Sequence, residues 1–340
     1  MEQPFLAFLG WYHAKEQPEK IEFSTLQRLK SIERGEDTEG DFTPSKDDGK
    51  NNISTQLTST DIEFLSTFID KTYLDEPSIT TIRQRFEDES SVLLRHFLNE
   101  DWSKKILYAC TSMDEEQKLG RRQGVIDYSV GMNSHWEAVG PAHKQRFLEY
   151  VGTPNQKSED PGSLLLYLKQ TLLESPAFGR LLQSFTSLPR HIGYRGRVRR
   201  FRPGFDYTVA HYGILTKSCV LDATLCFVKG AGNQCQYDSD TEELIGTDDD
   251  AMWDSGDFGG FEVYIAADDG DKGSTKEAED EYNDEDDTEL LSVSASFNSL
   301  SLVYRDPGTM RFVKYVGSGA PGSRWDIAIE YEMDEDIDTD

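Results

Sequence analysis

The sequence predicts an α+β protein in which a layer of helices is followed by an antiparallel barrel, and three observations predict it. The last third of the chain is a succession of alternating apolar and polar runs rich in β-branched and aromatic residues. The stretch from about residue 60 to 189 repeats its apolar residues at helical spacing instead. Breakers such as Asp306-Pro307-Gly308 and the Gly317–Gly322 segment separate the runs of the second kind.

Residues 4–13 read as a single strand within an N-terminal segment 1–14, and 15–59 as a polar linker. Residues 33–59 hold Glu, Asp, Gly, Ser, Thr, Lys and Asn with almost nothing apolar, which predicts disorder. Thr60 with Glu63 fits a capping box that starts the first helix, whose apolar face is Ile62, Leu65, Phe68 and Ile69. Ile79, Ile82 and Phe86 continue the helical pattern, followed beyond Ser90-Ser91 by Val92, Leu93, Phe97 and Leu98. Leu164–Leu173 and Leu181–Phe185 make two short amphipathic helices, started by Pro161-Gly162 and Pro176 and stopped near Pro189. These stripes are core faces.

From about residue 190 the period switches to two. Val198–Phe201, Tyr207–His211 and Val220–Val228 read as strands, followed by Gly259–Ala267, Leu290–Ser294, Asn298–Asp306, Met310–Val316 and Arg324–Tyr331. Seven or eight antiparallel strands over residues 190–333, behind a helical layer over 60–189, make a double-stranded β-helix, the jelly-roll barrel. Insertions at 238–257 and 268–289, dominated by Asp, Glu, Gly and Ser, read as solvated, disordered loops, and 334–340 as an acidic tail.

The chain has 63 acidic against 35 basic residues and a net charge of -28. Such a field repels a nucleic-acid backbone and anionic lipid, so a basic protein is the natural partner. The acidic insertions are a possible docking arm for it, although solvation is the usual role of an acidic run. A hydrophobic content of 36% is low for 340 residues, as expected if much of the chain is loop. Cys110, Cys219, Cys226 and Cys235 form no Cys-x-x-Cys pair and read as reduced thiols of an intracellular protein. The N-terminus is apolar for less than half the length of a membrane span and lacks a basic leader, which points to the cytoplasm or nucleus. Arg195, Arg197, Arg199, Arg200 and Arg202 form the one basic cluster. Alternate members of a strand point to opposite faces, so pairing with the acidic loops is a plainer role than one anion-binding face.

Four landmarks stand in order along the chain. They are Thr72-Tyr-Leu-Asp75 with Arg85–Leu98, then Trp136-x-x-x-Gly140-Pro141-x-x-Lys144-x-Arg146-Phe147, then Phe185-Thr-Ser-Leu188, then the terminal strands. Together, from about residue 62 to about 333, they resemble the C-terminal degradation domain of the 2-oxoglutarate- and iron-dependent prolyl hydroxylases that act on a ribosomal protein. The resemblance implies the half of such an enzyme that lacks the chemistry. Gly10-Trp11-Tyr12-His13 is similar to the end of the catalytic domain that precedes it, so the chain would open on the last strand of a barrel it does not contain; an unrelated N-terminal strand is the alternative. The family's full-length enzyme uses Fe(II), 2-oxoglutarate, oxygen and ascorbate, and links oxygen supply to translation and transcription-factor turnover.

Such an oxygenase holds iron through His-x-Asp on an early strand and a distal His on a late one. The early-strand histidine here is His211, but Gly213 stands where the carboxylate belongs, and Lys314 or Tyr315 where the distal histidine would fall. His96, His135, His143 and His191 lie in the helical part or its exit. Arg324 could bind a carboxylate as a co-substrate arginine does, with a salt bridge as the plainer role. Asp222 reads as an isolated acid without a positioned partner. No residue is therefore assigned to catalysis, cofactor or metal, and no cofactor is expected for this chain. The alternatives are a part of an active oxygenase whose catalytic half is missing from the chain, and an acidic chaperone for basic proteins.

Overall fold

A computed structural model of the protein describes residues 41–45, 57–121, 127–210, 214–215, 218–229, 236–237, 244–245, 248–266 and 289–333. The strand expected over 4–13, the insertion 268–288, Cys235, and the tail 334–340 lie outside them.

The helices are α1 (Ser59–Ser66), α2 (Glu76–Glu89), α3 (Glu100–Glu116), α4 (Pro161–Leu168, continued as a π turn over Lys169–Leu173), α5 (Pro176–Thr186) and α6 (Asp248–Ser255). The strands are β1 (Thr43–Pro44), β2 (Ser91–Arg95), β3 (Trp136–Val139), β4 (Gln145–Tyr150), β5 (His191–Phe201), β6 (Tyr207–Thr208), β7 (Val220–Phe227), β8 (Gln236–Tyr237), β9 (Leu244–Ile245), β10 (Glu262–Ala266), β11 (Glu289–Val293), β12 (Ser299–Arg305), β13 (Thr309–Val313) and β14 (Arg324–Met333). The large sheet runs β2-β12-β7-β14-β5-β4-β3, all antiparallel, with β1 added to β5 and β6 to β4; a smaller sheet runs β11-β10-β13. Thr208 of β6 ties the two together, its Oγ1 accepting from the Val313 N–H at 2.6 Å. This is the expected double-stranded β-helix with helices on one side.

The central strands of the large sheet are buried on both faces, and their alternation separates two cores. Leu221, Ala223, Leu225 and Phe227 of β7 pack with Trp325, Ile327, Ile329 and Tyr331 of β14 against the helices, where Leu164, Leu168, Phe178 and Leu181 complete the main core. The intervening residues face the smaller sheet. There Phe147, Phe201, Cys226, Trp253, Phe258 and Val313 make a second apolar cluster at one end, and charged residues occupy the rest.

Several elements depart from the sequence expectations. The first cap lies two residues earlier: Thr58 Oγ1 accepts from the Asp61 N–H at 3.2 Å, and Asp61 Oδ2 accepts from the Thr58 N–H at 2.9 Å. Asp61 is preferred to Glu63 because it also receives the Arg180 guanidinium at 2.5 and 2.8 Å, joining α1 to α5. Replacing Thr58 by alanine should cost about 1 kcal/mol, measured by urea unfolding. Ile62 points outward, unlike Leu65, Phe68 and Ile69.

Val92 and Leu93 belong to a strand, not to a continued helix. Ser90 closes α2 in the left-handed conformation (φ 53°), its N–H bonded to Phe86 O at 2.8 Å, and Val92 and Leu94 then alternate inward as β2 pairs with β12. Residues 60–189 thus supply β2, β3 and β4 to the sheet as well as helices. Part of the linker is also ordered. The β4–β5 pairing reaches only Arg199 and Arg200, so the rest of that β5 edge is open, and β1 covers it at Gly193 and Tyr194.

Within the first acidic insertion, Asp248–Ser255 is helical, not loop. Trp253 anchors α6: it is buried, its ring lies 5.2 Å edge-on to Phe258, and its Nε1 donates to Lys229 O at 3.1 Å. No helix among the described residues is long and apolar enough to cross a membrane.

Candidate functional site

The side of the large sheet away from the helices carries Arg195, Arg197 and Arg199 on β5, Asp222 and Thr224 on β7, Arg305 on β12, and Arg324, Asp326 and Glu330 on β14. Glu262 of β10 and Arg311 of β13 approach from the smaller sheet. Arg305 grips Asp222 through Nε–Oδ2 (2.9 Å) and Nη2–Oδ1 (3.3 Å), and its Nη2 also reaches Glu330 Oε1 at 2.6 Å. Arg311 bridges the sheets, with Nη1 3.0 Å from Asp222 and Nε 2.8 Å from Glu262. Arg195 Nε donates to the second Glu330 oxygen at 2.7 Å. Arg199 holds Asp326 bidentately at 2.7 and 3.1 Å, and Arg324 donates to the same carboxylate at 3.1 Å. The result is one continuous ion-pair network inside the barrel.

Burial pushes the Glu262 carboxyl up, but Arg311, Arg324 and Arg199 outweigh it and hold the pKa at about 2. Glu330 is likewise held at about 2, burial being overcome by Arg305, Arg195 and Arg311. Asp222 goes the other way: burial raises it against the pull of Arg305 and Arg311. A cavity of about 70 Å³ adjoins the network, lined in part by Arg195, Arg197, Arg199, Arg305, Arg311 and Glu330.

This geometry corrects one sequence reading. Asp222 is not isolated but paired with two arginines. Among the described residues, Arg195 and Arg199 of the arginine cluster bind Glu330, Asp326 and Glu262, and Arg197 has Glu149 at 3.9 Å, whereas the acidic segment 268–288 lies outside them. On the helix side, Arg200 meets Asp114 at 2.6 Å and lies 4.2 Å from the Trp325 ring centre; Arg202 takes Asp206 at 2.7 Å. Arg324 is buried against Asp326, a salt bridge as expected.

Lys314 faces outward, 3.6 Å from Glu289, and Tyr315 is exposed. His211 and Gly213 lie outside the described residues. Cys110 and Cys226 are buried free thiols, and Cys219 is partly buried, its thiol donating to Asp306 Oδ1 at 3.7 Å. Among the described residues no three His, Cys, Asp or Glu side chains are grouped to hold a metal. Glu262, Arg305, Arg311, Asp326 and Glu330 were not singled out from the sequence. Their signal is the spacing of β14, in which Arg324, Asp326 and Glu330 alternate with Trp325, Ile327, Ile329 and Tyr331.

A larger antiparallel sheet backed by helices and faced by a smaller one defines a protein of the double-stranded β-helix, or jelly-roll, class. The chain belongs to the family described as oxoglutarate and iron-dependent oxygenase degradation C-term, whose profile matches residues 60–340. It is 33% identical over 328 residues to the prolyl 3,4-dihydroxylase OGFOD1 of Ostreococcus tauri, covering 95% of this chain and 58% of that protein. It is 27% identical over 273 residues to the prolyl 3-hydroxylase OGFOD1 of Xenopus laevis, covering 75% of this chain and 44% of that protein. The chain thus spans about half the length of these relatives. A solved prolyl hydroxylase from Trichoplax adhaerens, in complex with a hypoxia-inducible-factor oxygen degradation domain peptide, aligns with a TM-score of 0.40 at 11% identity, over 76% of this chain and 90% of that one.

Proposed function

We propose that this chain acts as the non-catalytic, partner-binding barrel of a prolyl hydroxylase. The observation that carries this reading is the ion-pair network. Each of its carboxylates, Asp222, Glu262, Asp326 and Glu330, is committed to at least one guanidinium. The described residues inside the barrel therefore do not fit Fe(II), which needs two imidazoles and a carboxylate free to coordinate it. On this reading the activity named for the OGFOD1 relatives, hydroxylation of a prolyl residue, belongs to the whole protein. A separate barrel would supply the chemistry, with Fe(II), 2-oxoglutarate and ascorbate, and a ribosomal protein as substrate in the cytoplasm or nucleus. The role of this domain is then to hold partners and to set the enzyme's oxygen-linked regulation. The net charge of -28 selects basic partners, and their affinity should fall with salt as the charges are screened over about 8 Å at physiological ionic strength.

Aerobic 2-oxoglutarate turnover by the purified chain, with and without Fe(II) and a prolyl peptide from a basic ribosomal protein, tests the reading. The expected result is no iron-dependent turnover and no stoichiometric Fe(II) or Mn(II) binding. Iron-dependent turnover that disappears in His211→Ala would make the chain an enzyme and end the proposal.

A further inference from the structure

In the smaller sheet, ordered β11-β10-β13, the outer side of β13 is met by Thr208 of β6, whereas β11 (Glu289–Val293) pairs with β10 alone among the described residues. The register fixes which way its backbone groups point. Val313 pairs with Glu262, and the Lys314 N–H donates to Phe261 O at 2.8 Å, so Phe261 and Val263 turn their backbone groups toward β13, and Glu262 and Tyr264 turn theirs toward β11. Val293 and Leu291, opposite Glu262 and Tyr264, are therefore the bonded residues of β11. Ser292 between them turns its N–H and C=O to the open side, and no other described residue bonds to either group there. Leu290 is the extra residue of a bulge and is 59% exposed. Edges that stay single are commonly guarded by lysine or proline; Glu289-Leu290-Leu291-Ser292-Val293 contains neither. The charge at this edge is negative. Glu289 opens the strand, Asp284-Glu285-Asp286-Asp287 stand just ahead of it in the sequence, and covalent attachment alone keeps their charge near. Lys314 lies 3.6 Å from Glu289 and offsets one of these acids.

We infer that the outer edge of β11 binds an extended segment of a basic protein as an added strand, its backbone bonded to Ser292, an apolar side chain beside Leu290 and its lysines or arginines toward Glu289. The inference rests on the reading of this domain as partner-binding, and adds where the partner is held and in what conformation. Main-chain hydrogen bonds supply affinity with little demand on the partner's sequence, and the acidic surroundings select for positive charge. A second copy of the chain would also fit an open edge, but at a net charge of -28 two copies repel each other.

The test is fluorescence anisotropy of a labelled peptide, Lys-Arg-Thr-Val-Thr-Val-Thr-Arg-Lys, titrated with the full chain at low and at physiological salt. A second peptide carries prolines throughout between the same basic ends, which keeps the charge and removes the N–H groups a strand would use. On the protein, Ser292→Pro deletes the outward N–H and leaves the bonds to β10 in place, and Ser292→Ala changes the side chain alone. The parent and Ser292→Ala should bind the first peptide equally, and more weakly as salt rises. Affinity should fall about tenfold or more for Ser292→Pro and for the proline peptide. Equal binding of the two peptides by the parent overturns the inference and leaves charge-driven binding of basic partners standing. Equal binding by the parent and a folded Ser292→Pro does the same, and if that variant does not fold, the comparison of peptides decides. Absence of binding at about 100 μM chain also overturns it, whereas the non-catalytic reading falls only with iron-dependent turnover. A dimer of the parent in sedimentation that Ser292→Pro dissociates would assign the edge to a second copy and overturn the inference as well.

Discussion

Replacing Arg305 by methionine should destabilise the domain by about 3–5 kcal/mol, because it leaves buried carboxylates without their main counter-charge. Arg305 is 2% exposed and, among the described residues, is the only one that grips Asp222 with two donors while also reaching Glu330. Without it Asp222 retains Arg311 and Glu330 retains Arg195 and a longer contact to Arg311 at 3.7 Å, and Arg311 is already shared with Glu262. Urea unfolding at neutral pH measures the loss. The double variant Asp222→Asn, Arg305→Met should recover part of it, since the burden lies in the orphaned charge and not in the missing guanidinium. A single variant within about 0.5 kcal/mol of the parent would mean that water reaches and screens the network.

Acidification should unfold the domain in two stages. His191 is held down to about 4 from 6.5, first by burial and second by Arg190. The folded state therefore keeps it neutral while the unfolded chain takes up a proton. Its stabilisation is complete above pH 6.5 and is lost between 6.5 and 4, about 2 kcal/mol after allowing for its partial exposure. Glu262 and Glu330, lowered from 4.5 to about 2, contribute stability that is present above pH 4.5 and is lost as pH falls from 4.5 toward 2. Each accounts for roughly 3 kcal/mol. Asp222 opposes this stage, because its raised pKa makes the folded form gain from protonation. Unfolding midpoints measured across pH 7 to 2 should show both stages, and His191→Leu should remove the first. Persistence of the first stage in that variant would assign it to another group.

The barrel could be read from the sequence because its strands alternate cleanly and end at Gly, Pro or Asp, so Arg324–Tyr331 and Val220–Val228 fall within two residues of β14 and β7. What faces each side could not. Alternation of Ile or Leu with Arg or Asp is the pattern of a sheet with one wet face, and only the second sheet shows that the charged face is enclosed. The reading of Asp222 as isolated follows from that: its partners Arg305 and Arg311 are more than 80 positions away. The helix α3 went unrecognised although its signals are local. Asn99 Oδ1 accepts from the Trp102 N–H at 3.1 Å, Glu100 and Asp101 follow in the first turn, and Trp102, Ile106, Ala109 and Cys110 form its buried stripe. Lys104, Lys105 and Tyr108 between them dilute the apolar face. In α6, eight mostly polar residues are held by one tryptophan, and acidic composition outweighs a single anchor in any windowed reading.

The enclosed charges also bear on strand alignment. Along β14, a slip of one residue against β5 and β7 would carry Asp326 and Glu330 into the apolar layer beneath the helices and bring Trp325, Ile327 and Ile329 against the guanidiniums. Each misaligned acid would lose its arginine and its water together, a penalty far larger than that of a misplaced leucine. Ion pairs of this kind contribute little net stability over an apolar interior, yet they make every wrong alignment expensive. The barrel thus uses its charges as a ruler, fixing the alignment of its strands, and with it the outer surface, to within a single residue.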